Sequence, residues 1–146
     1  MNVKKVSKQL LDDGFNIRIS TYGSSMFPLI TTGDKITVSP GGNFVIGNLI
    51  VFTRNDQMVC HRLVRAFEKG GIKYYQTQGD SFFGLDEPVT VDQILGKVKR
   101  IEREHVSPAR RILIFIHPIL KFSKLNAFVI AILIKLNEIF RLQNSH

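Results

Sequence analysis

A serine, a histidine and two aspartates follow one another in an order that would support attack on a carbonyl. The serine stands in Tyr22-Gly23-Ser24-Ser25-Met26-Phe27-Pro28-Leu29-Ile30, with Gly33-Asp34 shortly after. Glycine permits close approach of a ligand to the backbone, and proline stops a strand from continuing, so Ser25 would sit at the lip of a sheet. Taken alone, Gly-Ser-Ser is ordinary loop chemistry. The histidine is His61. A serine hydroxyl is a poor nucleophile until a neighbouring base takes its proton, and imidazole suits that task near neutral pH. Strand alternation places His61 on the face of Val59 and Leu63, pointing inward, where a hydrogen-bonded core histidine would also point. The aspartates, Asp80 and Asp86, lie in the glycine-containing stretch 79–86 after Tyr74-Tyr75-Gln76-Thr77. A carboxylate beside the imidazole would fix its tautomer and stabilise the imidazolium. Alone, each acid reads as an Asx turn in a surface loop.

Other chemistries find little support. The single cysteine, Cys60, excludes an intramolecular disulfide and offers no zinc constellation. His61, His105, His117 and His146 lack cysteine or carboxylate company at metal-ligand spacing, so neither a metal nor another cofactor is expected.

The elements that must position these side chains are mostly strands. Alternating or β-branched runs occur at 16–21, 35–38, 49–53 and 59–64, divided by turn signals such as Thr32-Gly33-Asp34, Pro40-Gly41-Gly42, Arg54-Asn55-Asp56 and Lys69-Gly70-Gly71. This spacing predicts a mainly β fold, compact, antiparallel and partly closed. Ahead of it, Val3, Val6 and Leu10 are spaced for one face of a short helix over 2–13, with Gly14 at its C-terminus. Residues 1–13 carry lysines but no apolar run and no small-residue cleavage site, so no cleavable signal peptide is expected. With 146 residues, 44% hydrophobic and 22% charged, the chain can bury a real core and does not read as disordered.

The net charge of +8 is uneven. Residues 97–146 hold ten Lys/Arg against three acids, whereas residues 1–96 hold ten against nine. A uniformly basic nucleic-acid binder would not show this split, and no nucleic-acid partner is expected. Composition changes near Pro108, giving an expected domain of 1–104 and a basic, apolar helical tail of 105–146. The apolar runs 112–116 and 127–134 are each shorter than the roughly 18 residues of a spanning helix. One span over 112–134 would bury two lysines, each costing about 2.5–3.5 kcal/mol near mid-membrane. Helices lying on a membrane surface, or docking to a protein partner through 108–146, fit better than a span. The plain alternative is that they cover the sheet.

Together and in order, these segments resemble the S26 signal peptidase family within the wider S24/S26 peptidase group. Ser25-Met26-Phe27-Pro28 is similar to its Ser-Met-x-Pro box, and Gly33-Asp34 to the Gly-Asp that follows. Gly47-Asn48-Leu49-Ile50-Val51-Phe52 resembles the Gly-Asp-Ile-Val strand, with Asn48 in place of the usual acid. His61-Arg62-Leu63-Val64 is similar to the His-Arg-Val box of the endoplasmic-reticulum and archaeal type, and Gly79-Asp80, Asp86 and Ile94-Leu95-Gly96-Lys97-Val98 complete the series. The likeness spans roughly residues 14–100. It implies a signal-peptidase or LexA-like fold.

It also implies a serine endopeptidase that cleaves signal or leader peptides from precursor proteins, membrane-associated in its family. Bacterial housekeeping members use a Ser-Lys dyad, but residues 55–66 contain no lysine. The resemblance therefore implies Ser25 as nucleophile, His61 as base and Asp86 as the orienting acid, with Asp80 as a second candidate or structural support. Some relatives place a second oxyanion donor where this chain has Gly23, which has no side chain to offer. Substrates of the family lie extended beside the strands flanking the nucleophile, which here assigns Thr21, Tyr22, Met26 and Val59 to peptide binding. Two other readings stand beside this one. A non-catalytic descendant would bind an extended peptide and dock through its tail; a LexA-type regulator would need a lysine base and a helix-turn-helix that are not seen.

Overall fold

The computed structural model describes residues 3–103, 106–120, 132 and 135. Helix α1 (Val3–Asp12) leads into strand β1 (Ile17–Ser20), followed by β2 (Lys35–Pro40), β3 (Leu49–Arg54), β4 (Gln57–Lys69), β5 (Ile72–Gln78) and β6 (Val89–Thr90). A single 3₁₀ turn (Val91–Gln93) precedes β7 (Ile94–Glu102), and α2 (Pro108–Leu120) follows. The expected boundary at 104/105 and the apolar run 127–134, apart from Ile132, lie outside the described residues.

The seven strands form one antiparallel sheet in the order β1-β2-β7-β3-β4-β5-β6. The mainly β, antiparallel class read from the sequence is therefore the observed one. β7, the last of the described strands, lies between β2 and β3 and pairs with both. The β1–β2 pair and the β3-to-β6 meander meet in the sheet only through it.

Side-chain alternation divides the core in two, as the two-residue period of a strand requires. In β3, Leu49 and Val51 join a cluster with Leu11, Ile17, Met26, Ile36, Val38 and Leu95. Ile50 and Phe52 point the other way, into a cluster with Phe44, Leu63, Tyr75 and Val89. β3 is thus buried on both faces, which explains its unbroken apolar run.

One expectation needs correction. The inward face of α1 carries Ser7 and Leu11, with Leu11 only 2% exposed, while Val6 and Leu10 stand toward solvent. One residue of helix is a rotation of about 100°, and the contact of Leu11 with Ile17 and Met26 sets it. The helix ends as expected: Gly14 adopts φ +88°, its N–H bonds Leu11 O, and the Phe15 N–H bonds Leu10 O, a Schellman closure. α2 is anchored on the body by two polar side chains. Arg110 and His117, seven residues apart on one helical face, are buried against the body. Ile112 and Phe115 are exposed, Phe115 at 82%, so this helix turns polar groups inward and apolar ones outward.

Close backbone approach fixes the β2–β7 junction. A Cβ on Gly96 would lie 2.2 Å from Ser39 O and 2.9 Å from Val38 Cγ1. Gly96→Ala is expected to force β7 away from β2 and lower stability by about 1–3 kcal/mol or more, read from the midpoint of urea unfolding. An unchanged midpoint would show that the strands are not this close.

Candidate active site

Ser25 lies in the β1–β2 connection, which is organised by its own hydroxyls and carbonyls. The Thr21 N–H donates to Asp34 O at 2.9 Å, and the Gly33 N–H donates back to Thr21 O at 3.0 Å. Thr21 Oγ1 lies 2.6 Å from Thr31 O and 3.0 Å from Asp34 O. The polar groups of Thr21 are therefore engaged in closing the loop. Inside it, the Phe27 N–H bonds Ser24 O and the Ile30 N–H bonds Met26 O, both at 2.9 Å. Met26 is a core side chain, Tyr22 is 86% exposed, and Val59 packs on the second cluster. Gly23 adopts φ +91°, and its N–H bonds Thr32 Oγ1 at 2.8 Å, so Thr32 supplies a hydroxyl beside the position that lacks a side chain.

His61 is placed by β4. Its ring points inward with Leu63, as alternation required, and meets Phe52 edge-on with ring centres 6.2 Å apart. His61 Nδ1 lies 2.7 Å from Asp86 Oδ2. Asp86 is itself held: Thr77 Oγ1 donates to Oδ2 at 2.5 Å, Arg54 Nη1 to Oδ1 at 3.3 Å, and Gln76 Nε2 to the main-chain carbonyl at 3.0 Å. A carboxylate accepts but does not donate, so the proton of this contact sits on Nδ1, which in the neutral ring leaves Nε2 with its lone pair.

That lone pair faces Gly79. A Cβ added there would lie 3.3 Å from His61 Nε2, 2.7 Å from Ser25 O and 2.9 Å from Phe82 Cδ2. The loop carrying Ser25 and the ring of His61 thus converge on one buried glycine, where no side chain fits. Among the described residues, Ser25 Oγ and the Ser25 N–H make no hydrogen bond to protein, and Ser25 and His61 do not bond each other directly. Ser81 ties the two loops: its N–H donates to Ser25 O at 3.0 Å, and its Oγ lies 2.5 Å from Ser24 O and 3.2 Å from Phe27 O.

Asp80, the second candidate acid, is directed elsewhere. Arg62 Nε and Nη2 grip its two oxygens at 2.8 and 2.7 Å, and Arg62 Nη1 reaches Gly47 O at 3.0 Å. The bond to Asp80 holds the Arg62 guanidinium above its ordinary pKa despite partial burial. Asp80 is 2% exposed, so this pair anchors the loop to β4. Thr77, Ser81, Arg54 and Thr32 were not singled out by sequence reasoning. The signal for Thr77 was present, since it alternates with the inward Tyr75 on β5. Among the described residues, no group of three or more His, Cys, Asp or Glu is placed to hold a metal.

The family model described as Peptidase S24-like matches residues 4–74. The match takes in the Ser25 loop and His61 and ends before Asp86. It supports the S24/S26 peptidase superfamily for this chain and a serine-peptidase type of function, and the antiparallel sheet is consistent with the S24/LexA-like fold. No curated protein matches the chain significantly.

Next to His61, Cys60 points to the opposite side of β4, against the first cluster. Burial, and secondarily the charge of Asp80, push its thiol up to about 12. The folded thiol then keeps its proton where the unfolded one, with an ordinary value of 9.0, loses it. The folded state binds more protons in this window, so stability falls as pH rises from about 9 toward 12. At about pH 8, Cys60 is expected to react with a disulfide reagent far more slowly in the folded protein than in urea. Equal rates would contradict this burial.

Proposed function

We propose that this protein is a serine endopeptidase of the Ser-His-Asp type that removes signal or leader peptides from precursors. The observation that carries this reading is the 2.7 Å contact of His61 Nδ1 with Asp86, which leaves Nε2 facing the glycine against which the Ser25 loop packs. Ser25 Oγ attacks the peptide carbonyl as His61 Nε2 takes its proton. Asp86 stabilises the imidazolium, and His61 then returns the proton to the leaving amine. A water, deprotonated by His61, releases the acyl group from Ser25 in the same way. The Ser25 N–H, which has no protein acceptor among the described residues, serves the oxyanion. Gly23 has no side-chain donor, and the Thr32 hydroxyl accepts from the Gly23 N–H and is directed to Gly23 O, so the second oxyanion contact falls to water.

The substrate is an extended peptide lying beside β1 and the start of β4, near Tyr22 and Val59. Membrane association is proposed through the segment 108–146, supported by the exposed Ile112 and Phe115 of α2 and by its basic charge. Among the described residues, no helix is long and apolar enough to cross a membrane. The alternative of a non-catalytic peptide-binding descendant draws on one observation, the lack of a direct Ser25–His61 hydrogen bond; such contacts often tighten only when substrate binds.

The test is cleavage of a precursor-peptide library, in detergent or lipid, by the parent protein. Ser25→Ala and His61→Ala are each expected to lower kcat by about 10⁴-fold or more while leaving peptide binding intact. Cleavage that survives Ser25→Ala sinks the assignment, and binding without turnover by any form favours the peptide-docking descendant.

A further inference from the structure

Ser25 sits in an irregular loop, and such a loop holds a nucleophile in place only if its free carbonyls are tied down. Ser81 ties Ser24 O, Ser25 O and Phe27 O, and Arg110 of α2 ties two more, Pro28 O and Leu29 O, the latter shared with Arg103 Nε at 3.3 Å. Arg110 Nε donates to Pro28 O at 3.0 Å, and Arg110 Nη2 lies 3.3 Å from Leu29 O. The same guanidinium reaches Asp34 at the far end of the loop, with Nη2 2.5 Å from Oδ2 and Nη1 3.4 Å from Oδ1. Asp34 Oδ2 in turn accepts the Thr31 N–H at 2.9 Å. Arg110 therefore staples the middle of the loop, three residues beyond Ser25, to its end at Asp34. Both ions are almost completely buried, Arg110 at 4% and Asp34 at 3% exposure.

The same helix face grips the opposing loop. His117 Nε2 lies 3.1 Å from Asp80 O, beside the glycine that faces His61. Seven residues of helix separate the two anchors by about 10.5 Å, a fixed distance along a rigid element. α2 thus spans the loop of the proposed nucleophile and the loop that abuts the proposed base.

Building on the peptidase reading above, we infer that Arg110 is a positioning residue for Ser25, with His117 as the second anchor of the brace. Only a planar fork of five donors can serve two carbonyls and a carboxylate together. Lysine keeps the charge and loses the fork. Displacing a reacting group by about 1 Å can cost around a hundredfold in rate.

The experiment compares the parent with Arg110→Lys, with the pair Asp34→Asn/Arg110→Gln, and with Arg111→Ala at an exposed neighbour. The neutral pair removes both buried charges together and guards against a variant that merely unfolds. Peptide cleavage is measured with melting temperature and with NMR hydrogen exchange of the Phe27, Ile30 and Thr31 amides. For Arg110→Lys and for the neutral pair, kcat should fall about tenfold to a hundredfold with KM little changed. Exchange at those three amides should quicken below the melting transition, while Arg111→Ala behaves as the parent. Parental kcat in Arg110→Lys, or slow exchange retained at all three amides, overturns the inference and leaves the peptidase reading standing. A parent that cleaves nothing overturns the peptidase reading instead, and the exchange arm still decides whether Arg110 holds the loop.

Discussion

Two carboxylates without access to water, Asp34 and Asp80, constrain everything around them. Removing a charge from water is costly unless a partner with good geometry replaces the lost hydration, and breaking one buried pair costs about 3–5 kcal/mol. Each aspartate is met by an arginine from a different element: Arg110 of α2 for Asp34, Arg62 of β4 for Asp80. Neither pair needs to make the protein more stable than an apolar packing would. What each does is leave its loop one low-energy position. The loop bearing Ser25 is also pinned by buried Met26, Phe27 and Ile30, whereas Phe82, Phe83 and Leu85 in the loop bearing Gly79 and Ser81 are exposed, so ion pairing adds definition most where packing gives least.

His61 obeys the same logic with a neutral ring. Its apolar neighbours, Phe52 and Leu63, would accept phenylalanine equally well; the Asp86 contact makes the site one for imidazole. Thr77 and Arg54 then keep Asp86 from turning to solvent. The ring is thus oriented from behind by a chain of polar groups, and from the front by the lack of a side chain on Gly79. Hydrogen bonds orient the ring on one side, and close packing around the bare backbone of Gly79 orients it on the other.

β1 to β4 were legible because each has its own local period: the apolar run of β3 and the alternation of β4 need no knowledge of the rest of the chain, whereas the two-residue β6 carries no period and β7 entered only through the resemblance. His61 pointing inward followed from that alternation alone. The pairing of Asp86 rather than Asp80 with the ring was reached only by resemblance, since loop residues carry no period. The orientation of α1 was misread because Val6 and Leu10 are as apolar as Leu11, and only the position of Ile17 and Met26 decides which side is covered. Arg110 was least legible. Its partners Pro28 and Asp34 are 82 and 76 positions away, and a basic residue opening an apolar helix looks like surface. Ser81, whose hydroxyl reaches Ser24 from 57 positions away, was hidden for the same reason.

The central place of β7 has a consequence for the order of events during synthesis. The Ser25 loop belongs to the first pair of strands and His61 to the later meander, and no backbone ladder links them until residues 94–102 are available. A nascent chain that has left the ribosome only as far as β6 holds a hairpin and a meander side by side, each with an open edge. Strand pairings this distant in sequence form late and slowly. Until then only side-chain packing around Met26 and Val51 and the Ser81–Ser25 contact can join the two halves of the site, and a continuous ladder fixes their register when β7 pairs between β2 and β3.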